Sequence, residues 1–383
     1  MAHRILFLPH FPGLNVRVRS YELARCLADA HTIHYLCWPV LRARAELLRA
    51  WHGVRCWARP LRVRALGSGV HELRASRLLL KGSLAQAYNR YQLARWIAEL
   101  DIDVVVSADF RYTPFPHWFK GRVVYVYDMV DAFWDERRHE AAHIRKFVGG
   151  ELAKADVVTV CSRRLAENVR RLWGREVEVL PNGADLAELR AVAPEDVTRL
   201  RASLGLEGRW VIGSIGNHGP WSGLELLLGA FQRIRARMPE VALLIVGPGS
   251  EVDRLSPRYE RDPDVCFTGP RPPEEMPLFF NALDVGTLPF EVSEFTHSAL
   301  PLKVIEYSAC NKPVVSTPLR GVMDLAFPNI RLAESDVEAW AAALLAARTH
   351  SWDRHDLACS VEAYDWHAIA GRLLDAIESR GIL

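Results

Sequence analysis

Short apolar runs alternate along this chain with stretches whose apolar positions recur at helical spacing. Arg4–Leu8 is almost wholly apolar and is followed by a Pro/Gly turn at 9–13. Over Arg19–Leu27 the apolar stripe falls on Tyr21, Leu23, Ala24 and Leu27, the spacing of a half-buried helix. Residues 32–36, 104–107, 123–127, 157–161 and 177–180 are short, β-rich runs that read as strands of a buried parallel sheet. A helical repeat at 163–172 separates the last two. The turn cluster Pro181-Asn182-Gly183-Ala184-Asp185 and a polar helical stretch at 194–204 then interrupt the series. It resumes with strands at 210–215, 241–246 and 313–316 and a helix at 223–237, and ends in an amphipathic helix at 365–379. Two successive βαβ series predict two doubly wound α/β domains with a boundary near 186–205.

Composition is that of an ordinary globular chain, 50% apolar and 25% charged over 383 residues. The net charge of +2 gives no argument for nucleic acid. No apolar run is long enough for a membrane span, and the N-terminal one is too short for a secretory signal. Seven scattered cysteines without a Cys-x-x-Cys pair fit reduced thiols in a cytoplasm better than disulfides or zinc. Arginine outnumbers lysine 42 to 6, so a retained lysine draws notice. Residues 41–81 carry nine arginines and one lysine against two glutamates, interleaved with Trp51 and Trp57. They read either as a basic amphipathic surface for anionic lipid or an anionic acceptor, or as solvated helices of an Arg-rich chain.

The densest chemistry lies at 298–318. A loop containing Lys303 enters a short helix holding Glu306, and a small-residue turn then feeds a buried strand. That places a cation, a helix N-terminus and a carboxylate within about one helical turn of each other. A nucleotide diphosphate asks for this set: positive potential for the phosphates and an acceptor pair for the ribose hydroxyls. The run Ser298-Ala299-Leu300-Pro301-Leu302-Lys303-x-x-Glu306-Tyr307 resembles the donor-binding motif of retaining family-4 glycosyltransferases and their relatives.

The resemblance covers nearly the whole chain and implies the α/β GT-B fold: two Rossmann-like domains facing across a cleft. On this reading residues 1–190 bind the acceptor and 191–363 the nucleotide-sugar donor, with a C-terminal helix, 364–383, crossing back to the first domain. It implies Glu306 on the ribose and Lys303 on the diphosphate. Of the two glutamates eight positions apart in the usual signature, the first falls on Ser298, so a carboxylate that reads the donor sugar is absent there. His297 is placed to reach phosphate or sugar. Gly13 stands where relatives have a glycine pair. Asp128 or Asp131, in Tyr127-Asp-x-x-Asp, would bind acceptor or sugar hydroxyls, or cap a helix. Asp109 is expected near the acceptor.

In the strand–turn–helix run 213–219, Gly216, Asn217 and His218 would cradle the diphosphate, since the Arg/Lys pair that relatives carry after this strand is missing. Gly247 would wall the nucleotide, and Arg271 would stack or pair at the base. The implied activity is transfer of a sugar from a nucleotide-diphosphate donor to an envelope, lipid-linked or small-molecule acceptor. It would proceed with retention and without metal or other cofactor. The implied place is the cytoplasm, with peripheral contact to the inner membrane face through 41–81 left open. The missing Arg/Lys pair and first glutamate also fit a nucleotide-sugar binder that has lost catalysis; an epimerase on the same fold is a third reading. The glycine runs do not fit the Gly-x-Gly-x-x-Gly of an NAD-dependent dehydrogenase.

Overall fold

The computed structural model describes residues 2–10, 17–37, 62–65, 69–74, 83–134 and 141–379. They form two compact units, 1–181 with 369–383, and 182–368. The first carries a sheet of β1 (Arg4–Leu8), β2 (Thr32–Cys37), β3 (Arg62–Ala65), β4 (Val70–Arg74), β5 (Val104–Ser107), β6 (Val124–Met129), β7 (Val157–Val160) and β8 (Glu178–Val179), in the order β3-β4-β2-β1-β5-β6-β7-β8. The second carries β9 (Trp210–Ile215), β10 (Val241–Val246), β11 (Val265–Gly269), β12 (Val285–Leu288), β13 (Val314–Ser316) and β14 (Ile330–Leu332), in the order β11-β10-β9-β12-β13-β14. Both are doubly wound α/β sheets. Every pair is parallel except β3–β4.

That antiparallel pair is a departure from the sequence reading. Within the arginine-rich stretch, the described residues 62–65 and 70–74 are strands, with β4 running parallel to β2 at the sheet margin. They are not the solvated helices of the second reading. Cross-strand pairing of Val63 with Leu73 decides the matter, and the charge density had masked the β-prone alternation. The rest of 41–81, like Gly13, lies outside the described residues. No helix among the described residues is long and apolar enough to cross a membrane.

Each sheet reverses its order of winding once, between β1 and β5 and between β9 and β12. Crevices at the carboxyl ends of the strands open at such points. In the first unit the β6 end is occupied by an ion pair. Asp128 accepts from Arg19 Nε (2.8 and 3.1 Å) and Nη2 (2.9 Å), and from the Thr159 hydroxyl (2.6 Å). Arg19 Nη1 donates to the Pro181 carbonyl (2.6 Å). Both charged residues are 2% exposed. Asp128 is therefore neither a helix cap nor a carboxylate offered to sugar hydroxyls. Its oxygens fasten the helix after β1 to β6 and β7.

In the second unit the constraint is steric. β12 pairs with β9 only at Val285–Ile212 and Gly286–Gly213. Beyond that, the Leu302–Ala309 helix lays Tyr307 over Gly286, where a Cβ would meet the ring at 2.4 Å. The Tyr307 hydroxyl accepts the Ile215 amide (2.9 Å), which β12 leaves unpaired. On the other side, Phe231, Leu227, Trp340 and Leu344 build the core that seats the Leu224–Arg235 and Val337–Ala347 helices.

Two stability predictions arise from these contacts. Asp128→Asn strands the Arg19 guanidinium without its counter-charge and costs about 3–5 kcal/mol in urea titration; unchanged stability would show that the pair is dispensable. Tyr307→Phe leaves a buried amide unsatisfied and costs about 1–3 kcal/mol, read as a lowered unfolding midpoint.

Candidate functional site

The second unit brings its chemistry together at the carboxyl end of β9. Lys303 and Tyr307 are one helical turn apart and share a helix face. With Tyr307 pinned to Ile215, Lys303 is carried to the next residue, Gly216. A Cβ on Gly216 would stand 3.0 Å from Lys303 Nζ, and Gly216 has φ +119°, so both space and backbone demand glycine here. The ammonium lies 5.2 Å from the centre of the Phe290 ring, just past β12. Burial lowers the Lys303 pKa from its usual 10.5 to about 8, and Glu306 partly opposes this. Lys303 and Glu306, linked in the sequence by spacing, are thus electrostatic neighbours at a sheet switch point.

The loop after β9 is organised differently from the expected cradle. The Gly216 amide donates to the Val246 carbonyl (2.9 Å) and the His218 amide to the Pro248 carbonyl (2.8 Å). Both amides are taken by protein, so neither is directed at a ligand phosphate. Gly247 earns its place sterically, because a Cβ there would meet the Gly216 carbonyl oxygen at 2.1 Å. His218 is 1% exposed, and its Nε2 lies 3.3 Å from the Val246 carbonyl. Burial, reinforced by Lys303, pushes its pKa down to about 3, so it is a neutral structural imidazole. It does not substitute as a cation for the missing Arg/Lys pair. Asn217, between the two, is exposed.

The Glu294–Ser298 helix is held from several sides. Ser293 and Thr296 form a reciprocal capping box. Phe295 meets Trp221 edge-on, with ring centres 5.7 Å apart. His297 is half-buried, and its Nδ1 accepts the Arg320 amide (3.3 Å). A neutral His297 therefore carries its proton on Nε2, which makes that edge of the ring a donor. Ser298 is fully buried, and its hydroxyl donates to Glu294 Oε1 (3.3 Å). A carboxylate, that of Glu294, thus stands one turn before position 298, in an i, i+4 contact that the motif spacing did not reveal. Ala299 and Leu300 are buried in the link to the next helix; the Leu300 carbonyl accepts from Asn182 Nδ2 (2.6 Å). The Leu302–Ala309 helix begins at Pro301 with no side-chain cap, and in its first turn the Val304 amide donates to the Pro301 carbonyl (3.3 Å).

Arg271 follows β11. Its guanidinium lies 5.6 Å from the Phe279 ring centre and 3.9 Å from Glu275, both in its own unit. In the first unit Asp109 is 2% exposed and accepts the amides of Arg111, Tyr112 and Thr113 (3.0, 3.0 and 2.7 Å), so it shapes the loop after β5. His10, in the turn after β1, lies beside Phe133, with ring centres 5.8 Å apart. Burial pushes its pKa down to about 4 against the pull of Asp128 and Asp109. Only its place after a strand could have singled it out.

Residues 16–188 match the model for Glycosyltransferase Family 4, and residues 209–350 match that for Glycosyl transferases group 1. The Bacillus subtilis protein TuaH, named as a teichuronic acid biosynthesis glycosyltransferase, is 26% identical over 356 residues, spanning 86% of this chain and 84% of that protein. A GDP-mannose-dependent phosphatidylinositol monomannoside mannosyltransferase of Mycolicibacterium smegmatis is 32% identical over 42% of this chain and 44% of its own length. In fold, Anabaena HepE in complex with UDP-glucose superposes with a TM-score of 0.70 at 18% identity, over 98% of this chain and all of that one. Sucrose-phosphate synthase from Thermosynechococcus elongatus gives a TM-score of 0.74 at 17% identity, over 98% of each chain. Family matches over both units, on two doubly wound sheets with a Lys/Glu helix at the second switch point, identify the chain as a family-4-like glycosyltransferase of the GT-B fold.

Proposed function

We propose that this glycosyltransferase uses a nucleotide-diphosphate sugar, with UDP or GDP as the carrier, and transfers the sugar with retention and without a metal. The observation that carries the reading is the ammonium of Lys303 set over Gly216 at the β9 switch point. A diphosphate there gains a point charge and the uncapped first turn of the Leu302–Ala309 helix. Glu306 accepts the ribose hydroxyls. His297 Nε2–H and the Glu294 carboxylate, held by Ser298, address the sugar or its phosphate.

In this reading the acceptor attacks from the face the diphosphate leaves, and a departing phosphate oxygen takes the acceptor proton. The protein supplies position and charge rather than a covalent nucleophile, with Lys303 meeting the negative charge that grows on the leaving group. Because a lysine provides that charge, a divalent cation is not required. One named relative carries the name of teichuronic acid biosynthesis and another that of a phosphatidylinositol monomannoside, which favours an envelope or lipid-linked acceptor over a soluble metabolite, and a place at the cytoplasmic face of the membrane. A binder without turnover is the remaining alternative, and release of nucleoside diphosphate from the donor in the presence of acceptor separates the two.

The first test is thermal stabilisation by UDP, GDP, dTDP and ADP, with NAD as control. Native-state ligands raise apparent stability by mass action. One diphosphate should shift the midpoint selectively, and Glu306→Ala should weaken that ligand by about tenfold. A shift with NAD alone would overturn the reading.

The second test is pH. Lys303 in the free protein loses its proton near pH 8, so diphosphate affinity should be full below that value and fall as pH rises through it. Lys303→Arg, charged throughout, should abolish the dependence; a flat profile in the wild type would remove the lysine from the phosphate site.

A further inference from the structure

The Ser83–Glu99 helix of the first unit is apolar on two sides. Its inner face buries Ala85, Tyr88, Leu93, Trp96 and Ile97. Its outer face should then be polar, as on an ordinary surface helix. Instead Leu84 is 86% and Tyr91 62% exposed, two turns apart on one stripe, with exposed Ala87 between them. The 117–119 turn adds Trp118, 50% exposed, whose ring lies 5.9 Å from the Arg90 guanidinium. Helix and turn are fixed to each other through the chain just before the turn: Gln86 Nε2 donates to the Arg111 carbonyl (3.1 Å) and Asn89 Nδ2 to that of Tyr112 (3.0 Å). Three of the seven large hydrophobics most exposed among the described residues therefore share one small surface, which scattered surface leucines do not do.

The charge around this surface has one sign. His117, Lys120 and Arg122 are exposed beside Trp118, and Arg90 lies against its ring. The nearby acids are already engaged, Glu99 with Arg95 (2.6 Å) and Asp101 with Arg4 (2.7 Å).

We propose that this face, built from Leu84, Tyr91, Trp118 and the cations Arg90, Lys120 and Arg122, docks on an anionic lipid surface. Tryptophan and tyrosine settle at the depth of lipid headgroups, a leucine reaches the acyl boundary, and arginine and lysine stems lie along the apolar surface while their charges meet phosphates. Anionic headgroups add roughly 1 kcal/mol for each basic side chain near the surface. A second copy of this chain is a poorer occupant, because a two-fold contact sets the same patch against itself and opposes its cations. The surface lies outside the arginine-rich 41–81 stretch, which its helix follows closely in sequence, and its role does not depend on which acceptor the enzyme uses.

The test is co-sedimentation of the full chain with phosphatidylcholine vesicles, with and without phosphatidylglycerol. The wild type should bind only the anionic vesicles, and added salt should weaken that binding. The variant with Leu84→Ser, Tyr91→Ser and Trp118→Ser should bind at least about tenfold more weakly, with its unfolding midpoint unchanged because all three side chains are exposed. A second variant, Lys120→Glu with Arg122→Glu, should lose the preference for anionic lipid even if the first folds poorly. Wild-type binding by both variants would overturn the proposal. So would failure of the wild type to bind, or a concentration-dependent dimer that the serine variant abolishes.

Discussion

The arrangement of the chemistry at the second switch point depends on one contact, the Tyr307 hydroxyl accepting the Ile215 amide. The pairing of β9 with β12 stops at Gly213–Gly286, and an open pair of strand ends inside a protein leaves an amide to be satisfied. Tyr307 satisfies it from a helix rather than from a strand. That fixes the rotation and height of the Leu302–Ala309 helix against the sheet. Everything one turn earlier follows, including Lys303 over Gly216 and the helix N-terminus beside it. Gly286 makes the arrangement possible by leaving room for the ring, and Gly216 by leaving room for the ammonium.

The cost of that placement is electrostatic. An ammonium brought against backbone and an aromatic ring loses water, and its lowered pKa records the loss. The same burial keeps His218 neutral, so a single cation governs the loop after β9. The first unit solves the opposite problem. There a full ion pair is buried, and it is tolerated because Asp128 takes three donor nitrogen contacts and a hydroxyl while Arg19 reaches one further carbonyl. One buried charge has Glu306 and the Phe290 ring beside it; the other is compensated by a full ion pair.

This contrast explains which site residues were legible in the sequence. Lys303 and Glu306 stood out because their pairing is local, three residues apart on one helix, and helical geometry converts that spacing into proximity. Asp128 misled because its partner, Arg19, is 109 positions away and nothing in Tyr-Asp-x-x-Asp announces it. His218 misled for a similar reason: a histidine in a glycine-rich loop looks available until β10 closes over it. Glu294 was overlooked since only the fold shows its contact with the hydroxyl of Ser298. In the arginine-rich stretch, charge drew attention away from the short β-prone runs that became β3 and β4.

By itself the sequence determined the number and kind of layers, because buried parallel strands and the helices between them write their periodicity locally. It also determined the family, because Ser298 to Tyr307 is a contiguous signature. Tertiary structure decided which polar groups remain available for chemistry. Availability depends on what arrives from distant parts of the chain: Arg19 closing on Asp128, the carbonyls of Val246 and Pro248 taking the amides of Gly216 and His218, and Tyr307 setting Lys303 in place. Spacing along a chain cannot encode those meetings, since each is fixed by packing between elements and by the need to satisfy every buried donor and charge.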